Sequence, residues 1–183
     1  MSVLCDKSIL LAQCNGDIII EPFDRSCLQS ASYDLHLGHD FAYESGDRSA
    51  VRMERNLDNH GFKKYTPNTE SITIEPGEFL LASTLERIKV GPRLIAFVSG
   101  KSSVARRGLF IECAGLVDPG FEGNITLELF NASKRPLELP IGMRICQINF
   151  QKLDDHPIRL YGDPELGSHY QGQTGATPSR SSF

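Results

Sequence analysis

Glu128 stands inside an apolar run, Ile125-Thr126-Leu127-Glu128-Leu129-Phe130. Read as a strand, this run puts Ile125, Leu127 and Leu129 on one face and Thr126, Glu128 and Phe130 on the other. A lone carboxylate is expensive to bury, so a residue in this setting is paired or functional. A structural ion pair or an exposed edge position would satisfy it. So would general-base work on a water molecule, which apolar surroundings favour by raising a carboxylate's pKa.

Upstream lies Gly100-Lys101-Ser102-Ser103-Val104-Ala105-Arg106-Arg107-Gly108. Ser102 or Ser103 is expected to cap a short helix, leaving N–H groups at its start that attract anions. Lys101 and Arg106 add positive charge. Arg106 follows Ser102 by four residues, about one helical turn, so the two could face one phosphate or one water. The plain alternative is a capped helix with a solvated basic face. Asp118-Pro119-Gly120-Phe121 lies between the two motifs. Its Asp suits a turn, a sugar hydroxyl or a catalytic water. Gln147 is polar within an apolar strand, Ile145-Cys146-Gln147-Ile148. It either bridges buried backbone or reaches a nucleotide.

Other chemistries lack their motifs. A zinc-dependent nucleobase deaminase needs H-x-E followed by P-C-x-x-C, and no cysteine pair accompanies His36, His39, His60, His156 or His169. Walker-type, G-x-G-x-x-G and G-x-S-x-G motifs do not occur either.

The elements that must position these residues read as short strands. Asp6 is expected to cap a helix running to about Gln13, with Asn15-Gly16 ending it. After that, Gly and Pro punctuate β-type runs at Ser32 to Leu37, Ser71 to Ile74, Phe79 to Thr84, Leu94 to Ser99, Asn124 to Asn131 and Arg144 to Phe150. Such spacing predicts an all-β barrel or double-sheet roll. The stretch from Ile74 to Leu80 echoes that from Leu139 to Ile145, each a strand, a tight turn and a strand. The polar segment from Glu44 to Glu70 reads as a surface excursion. Residues 162–183 hold few aliphatic side chains, so they make either a disordered end or a flap over a ligand.

The 183 residues suit one domain, with 40% hydrophobic and 23% charged residues. A net charge of -4 argues against a general nucleic-acid binder, which needs a basic face. Five scattered cysteines suggest reduced thiols. Neither a membrane-length apolar run nor a signal-peptide core is present, so the expected location is the cytoplasm.

Taken together, Lys101-Ser102-Ser103-Val104-Ala105-Arg106, Asp118-Pro119-Gly120-Phe121-Glu122-Gly123 and Ile125-Thr126-Leu127-Glu128-Leu129 resemble the dCTP deaminase family in order and spacing. Ala31-Ser32-Tyr33-Asp34-Leu35-His36-Leu37-Gly38 upstream matches as well. So do Tyr170-Gln171-Gly172-Gln173 and Pro178-Ser179-Arg180 downstream. The resemblance covers nearly the whole chain. It implies a distorted β-barrel or jelly-roll-like fold of the dUTPase type, with a single domain over residues 1–161 and a tail, residues 162–183, closing over the nucleotide. It implies a homotrimer with active sites between subunits, a magnesium-bound triphosphate substrate and no zinc. By match, Glu128 would be the base and proton shuttle, with Ser102 and Arg106 holding the water and phosphates. Lys101, Ser103, Val104, Ala105, Asp118, Thr126, Leu127, Gln147, Tyr161, His169 and Gln173 would contact substrate, Asp118 at the deoxyribose or, in a dUTPase-like step, at a hydrolytic water.

Three departures bear on the activity. The loop Leu109 to Gly115 is one residue shorter than the family's usual version, with Cys113 near a usual Thr. In the family this loop lies by the base and takes part in feedback inhibition, for which dTTP is the expected effector. Leu116 stands where dUTP-forming members carry Arg, which makes the motif similar to those that release dUMP and diphosphate. His169 takes the place of a phosphate-binding Lys, which would make binding pH-dependent. The alternatives are a plain dUTPase, which Glu128 disfavours, and a non-catalytic nucleotide-binding relative.

Overall fold

The computed structural model describes residues 2–44, 62–112 and 115–180. In chain order they form β1 (Ser2–Val3), α1 (Asp6–Asn15), β2 (Ile18–Glu21), β3 (Tyr33–Glu44), β4 (Phe62–Tyr65), β5 (Ser71–Ile74), β6 (Phe79–Val90) and β7 (Leu94–Gly100). There follow α2 (Ser102–Ala105), β8 (Leu109–Glu112), β9 (Leu116–Val117), β10 (Glu122–Asn131), β11 (Leu137–Pro140) and β12 (Arg144–Lys152). Among the described residues no helix is long and apolar enough to cross a membrane.

The all-β expectation holds. One curled sheet runs β8-β10-β6-β3-β12-β7-β9, with β1, β2 and β4 added at its margins. Every strand pairing in it is antiparallel. The concave face holds the core, in which Tyr33, Leu35, Phe41, Ile88, Leu127, Leu129, Ile148 and Phe150 are fully buried or nearly so. Curling is aided where the register shifts, between Leu37 and Phe41 of β3 and between Asn124 and Thr126 of β10. Near the first shift, buried Glu86 accepts from the main-chain N–H of His36 at 2.9 Å and pairs with its Nδ1 at 2.5 Å. This polar pair joins β3 to β6 where the ladder is broken.

The internal echo is structural. β5 turns into β6 and β11 turns into β12, and β5 and β11 pair with each other as a separate two-stranded sheet. The turns use Gly77 at φ 77° and Gly142 at φ 78°, left-handed backbone that glycine adopts without a Cβ penalty.

Three local readings change. Cys5, not Asp6, is the N-cap of α1, and Asp6 is its first residue, where a carboxylate suits the positive helix end. Lys101, not Ser102 or Ser103, is the N-cap of α2, and its side chain makes no capping bond. The polar excursion contains β4, whose Phe62 and Tyr65 reach Glu44 and Phe41 across the ladder. Residues 45–61 of that excursion, together with Cys113 and Ala114, lie outside the described residues.

Candidate active site

β7 ends at Gly100, and the chain turns through Lys101 into α2. The Lys101 carbonyl accepts the N–H groups of Val104 and Ala105 at 3.0 and 2.9 Å. Buried Val104 pins the short helix to the core, which leaves Ser102, Ser103, Ala105 and Arg106 exposed. Under this turn lies an open cavity of about 480 Å³, lined also by Phe110 and Ile111 of β8 and by Gln147 of β12. Five expected site residues meet here: Lys101, Ser102, Ser103, Ala105 and Gln147. Val104 faces the core instead. Arg106 ends the helix, its N–H on the Ser102 carbonyl at 3.1 Å.

Gln147 is held from both sides. It pairs with Asp34 of β3 and Ser99 of β7 across the ladders. Its Nε2 donates to Ser99 Oγ at 3.2 Å, and its Oε1 accepts from Ser32 Oγ at 3.4 Å. Lys101 is fixed by an ion pair, Nζ to Asp34 Oδ1 at 2.5 Å.

β10 obeys the alternation read from its sequence. Ile125, Leu127 and Leu129 are buried, while Thr126 and Glu128 are partly exposed on the outer face. Leu127 therefore offers its side chain to the core. Glu128 pairs with Leu81 of β6 and with Glu112 of β8, next in chain to Ile111 at the cavity wall. Glu128 is not among the residues that line the cavity, and β8, a strand without a sequence pattern of its own, lies between the two.

The tail packs along the same outer face, although its composition alone would leave it disordered. Asn124 N–H donates to the Gln173 carbonyl at 3.0 Å, and Gln173 Nε2 returns a bond to the Asn124 carbonyl at 2.7 Å. Thr177 N–H donates to Thr126 Oγ1 at 3.2 Å. Ala176 is buried against Ala42 and Leu81, with Phe62 beside them. Leu81 is the cross-strand partner of Glu128, so the tail reaches the neighbourhood of the carboxylate. The ordering comes from main-chain bonds and small apolar contacts that composition does not reveal.

Asp118, Tyr161 and His169 gather elsewhere. Phe121 N–H donates to the Asp118 carbonyl at 3.1 Å, closing the expected turn. Gly120 in that turn has φ 91°, and an added Cβ would stand 2.8 Å from Leu160 Cβ. Tyr161 packs its ring on Phe121 at 5.7 Å and accepts the Tyr170 N–H at 3.1 Å. Burial raises the Tyr161 phenol above its ordinary pKa, against the lowering effect of that bond. The His169 carbonyl accepts from Arg180 at 2.8 Å. Val117, just before Asp118, pairs with Ala96, four residues short of Gly100. At roughly 3.3 Å per residue, that is about 13 Å along β7 from the cavity. Within one chain the expected site residues fall into separate groups. Sequence reasoning missed Phe110 and Ile111 as cavity walls. Asp34 carries no signal of its own in the sequence beyond its place in the Ala31–Gly38 motif.

A family model described as dCTP deaminase-like matches residues 3–153. The chain belongs to the dCTP deaminase-like family. A dUMP-forming dCTP deaminase of Hydrogenobaculum sp. is 48% identical over 179 residues, covering 97% of this chain and 95% of the relative. One from Aquifex aeolicus is 44% identical, covering 97% and 94%. Among solved structures, a 2'-deoxycytidine 5'-triphosphate deaminase from Agrobacterium tumefaciens superposes with a TM-score of 0.66 at 21% identity. The match covers 82% of this chain and 48% of that one, so the chain spans about half its length. This dCTP deaminase-like fold therefore carries its cavity at the β7–α2 turn and its acidic residue on β10.

Proposed function

We propose that the protein deaminates dCTP and then hydrolyses the resulting dUTP, releasing dUMP and diphosphate. The observation that carries this reading is Glu128, a partly exposed carboxylate on the outer face of an otherwise apolar strand, beside the strand that walls the cavity. Glu128 takes a proton from water, and the hydroxide attacks C4 of cytosine. The same proton passes to the ring nitrogen, and a further transfer lets the amino group leave as ammonia. Ser102 and Arg106 hold the water and the phosphates, while Gln147, Lys101, Ser103 and Ala105 contact the nucleotide. Asp118 serves the sugar or the hydrolytic water, and Tyr161, His169 and Gln173 complete the binding surface with Thr126. The second step is favoured by full-length relatives named dUMP-forming and by Leu116 in the turn before Asp118.

Magnesium enters with the substrate. Among the described residues no three His, Cys, Asp or Glu side chains converge to cage an ion. The cationic and amide groups at the cavity suit phosphate oxygens, leaving the cation to phosphates and water. Assembly as a homotrimer accounts for the separate groups, since Asp118 and Tyr161 of one copy can meet the cavity of another. Phe79, Phe130 and Phe110 support that assembly: they are exposed in one row across β6, β10 and β8. Sedimentation at three times the chain mass is expected; a monomer would remove this arrangement. Such an enzyme belongs with the cytoplasmic nucleotide pool.

Incubation with magnesium and dCTP tests the reading. Ammonia and diphosphate should appear in equal amounts. Ammonia alone would mean that dUTP is the product. Diphosphate from dUTP, with no ammonia from dCTP, would mean a plain dUTPase. Binding by calorimetry without turnover would mean a non-catalytic relative.

The tail is proposed to close over the triphosphate, because its contacts at Asn124 and Thr126 run toward Glu128. Deleting the residues after Tyr170 should weaken binding of a non-hydrolysable dCTP analogue by about tenfold or more, the scale of losing one charged hydrogen bond. Unchanged affinity in calorimetry would end the flap proposal.

A further inference from the structure

We propose that Asp34 is a positioning residue that holds Lys101 for the triphosphate, an inference that rests on reading the cavity as the dCTP site. Asp34 lies on β3, and its side chain is 3% exposed. A carboxylate so buried requires compensation. Its Oδ1 lies 2.5 Å from Lys101 Nζ. Its Oδ2 accepts from Gln29 Nε2 at 3.4 Å and faces Arg144 at 3.9 Å. Arg144 is itself tied to Ser26 Oγ at 2.7 Å. Lys101 keeps 22% of its side chain exposed and lines the cavity. Asp34 pairs across the ladder with Gln147, which lines the same cavity. Side-by-side packing of β3, β12 and β7 therefore sets the carboxylate beneath the cavity and the lysine at its wall.

An ammonium has three donors. The contact with Asp34 Oδ1 is an ion pair without hydrogen-bond geometry, so charge attraction anchors the ammonium and its donors remain for phosphate oxygens. Without the anchor, the four-carbon stem samples many rotamers and must be ordered by the ligand. Charge alone predicts the opposite sign. A carboxylate beneath a triphosphate repels it, so removing Asp34 would tighten binding. The direction of the change separates the two.

The full chain in its native assembly is the material to test. Wild-type turnover of dCTP is measured first and tests the proposed activity. Asp34→Asn, Lys101→Met and the double variant are then compared in KM and kcat for dCTP and in calorimetric affinity for magnesium diphosphate. Asp34→Asn should raise KM and weaken diphosphate about tenfold, with kcat within about threefold. Lys101→Met should act similarly, and the double variant should be no worse than Lys101→Met alone, because both changes break one unit. Equal or tighter binding by Asp34→Asn, or losses that multiply, would overturn the inference. Coupled diphosphate losses in a protein that leaves dCTP intact would spare the inference and remove the activity. Should Asp34→Asn fail to fold, amine labelling of the wild type decides. Lys101 should react at least about tenfold more slowly than exposed Lys63 and Lys64, since its ammonium is engaged. Equal reactivity would overturn the anchor.

Discussion

Glu128→Gln should lower ammonia release from dCTP by at least about a hundredfold, the usual scale for losing a general base. The amide keeps the shape of the side chain but cannot accept the water's proton. Glu128 lies on the outer face of β10, whose packing into the core comes from Ile125, Leu127 and Leu129. The melting temperature and the affinity for a non-hydrolysable dCTP analogue should therefore hold near wild-type values. Steady-state ammonia assays beside thermal unfolding and calorimetry read all three. Turnover retained within about tenfold would remove Glu128 as the base.

The neighbouring residue should behave in the opposite way. Leu127 is fully buried, and it pairs with Ala82 of β6 in the core. Leu127→Ala removes three buried carbons and leaves a void that the curled sheet fills only in part. The expected loss is about 2–5 kcal/mol. For a domain of this size that is roughly 4–20 °C in Tm. Specific activity of the protein that remains folded should change far less than for Glu128→Gln. A Tm within about 1 °C of wild type would contradict the burial of β10's inner face. Consecutive positions on one strand thus divide stability from chemistry, because successive side chains point to opposite sides.

That division was legible in the sequence, since alternation is a local property of the strand. β7, β10 and β12 were foreseen nearly at their observed bounds for the same reason. β8 and β9 were not. They are short, and they exist as strands through pairing with β10 and β7 rather than through any pattern of their own. β6 continues to Val90, well past Thr84, because residues 87–90 pair with β2 and residues 87–89 with β10, while polar Glu86 is buried in its contact with His36. A charged residue reads as a strand end until its distant partner is known.

Residue types and spacing by themselves determined the all-β class, the two faces of β10, the acidic residue on its outer side and the serine–lysine–arginine turn. These follow from backbone geometry acting over a few neighbouring positions. Only the tertiary structure decided that Lys101 pairs with Asp34, that Leu127 and Val104 face the core, and that Asp118 and Tyr161 stand apart from the cavity. It also decided that the tail rests on Asn124 and Thr126. Each of these depends on contacts between segments far apart in the chain, whose register is chosen by packing the whole sheet at once.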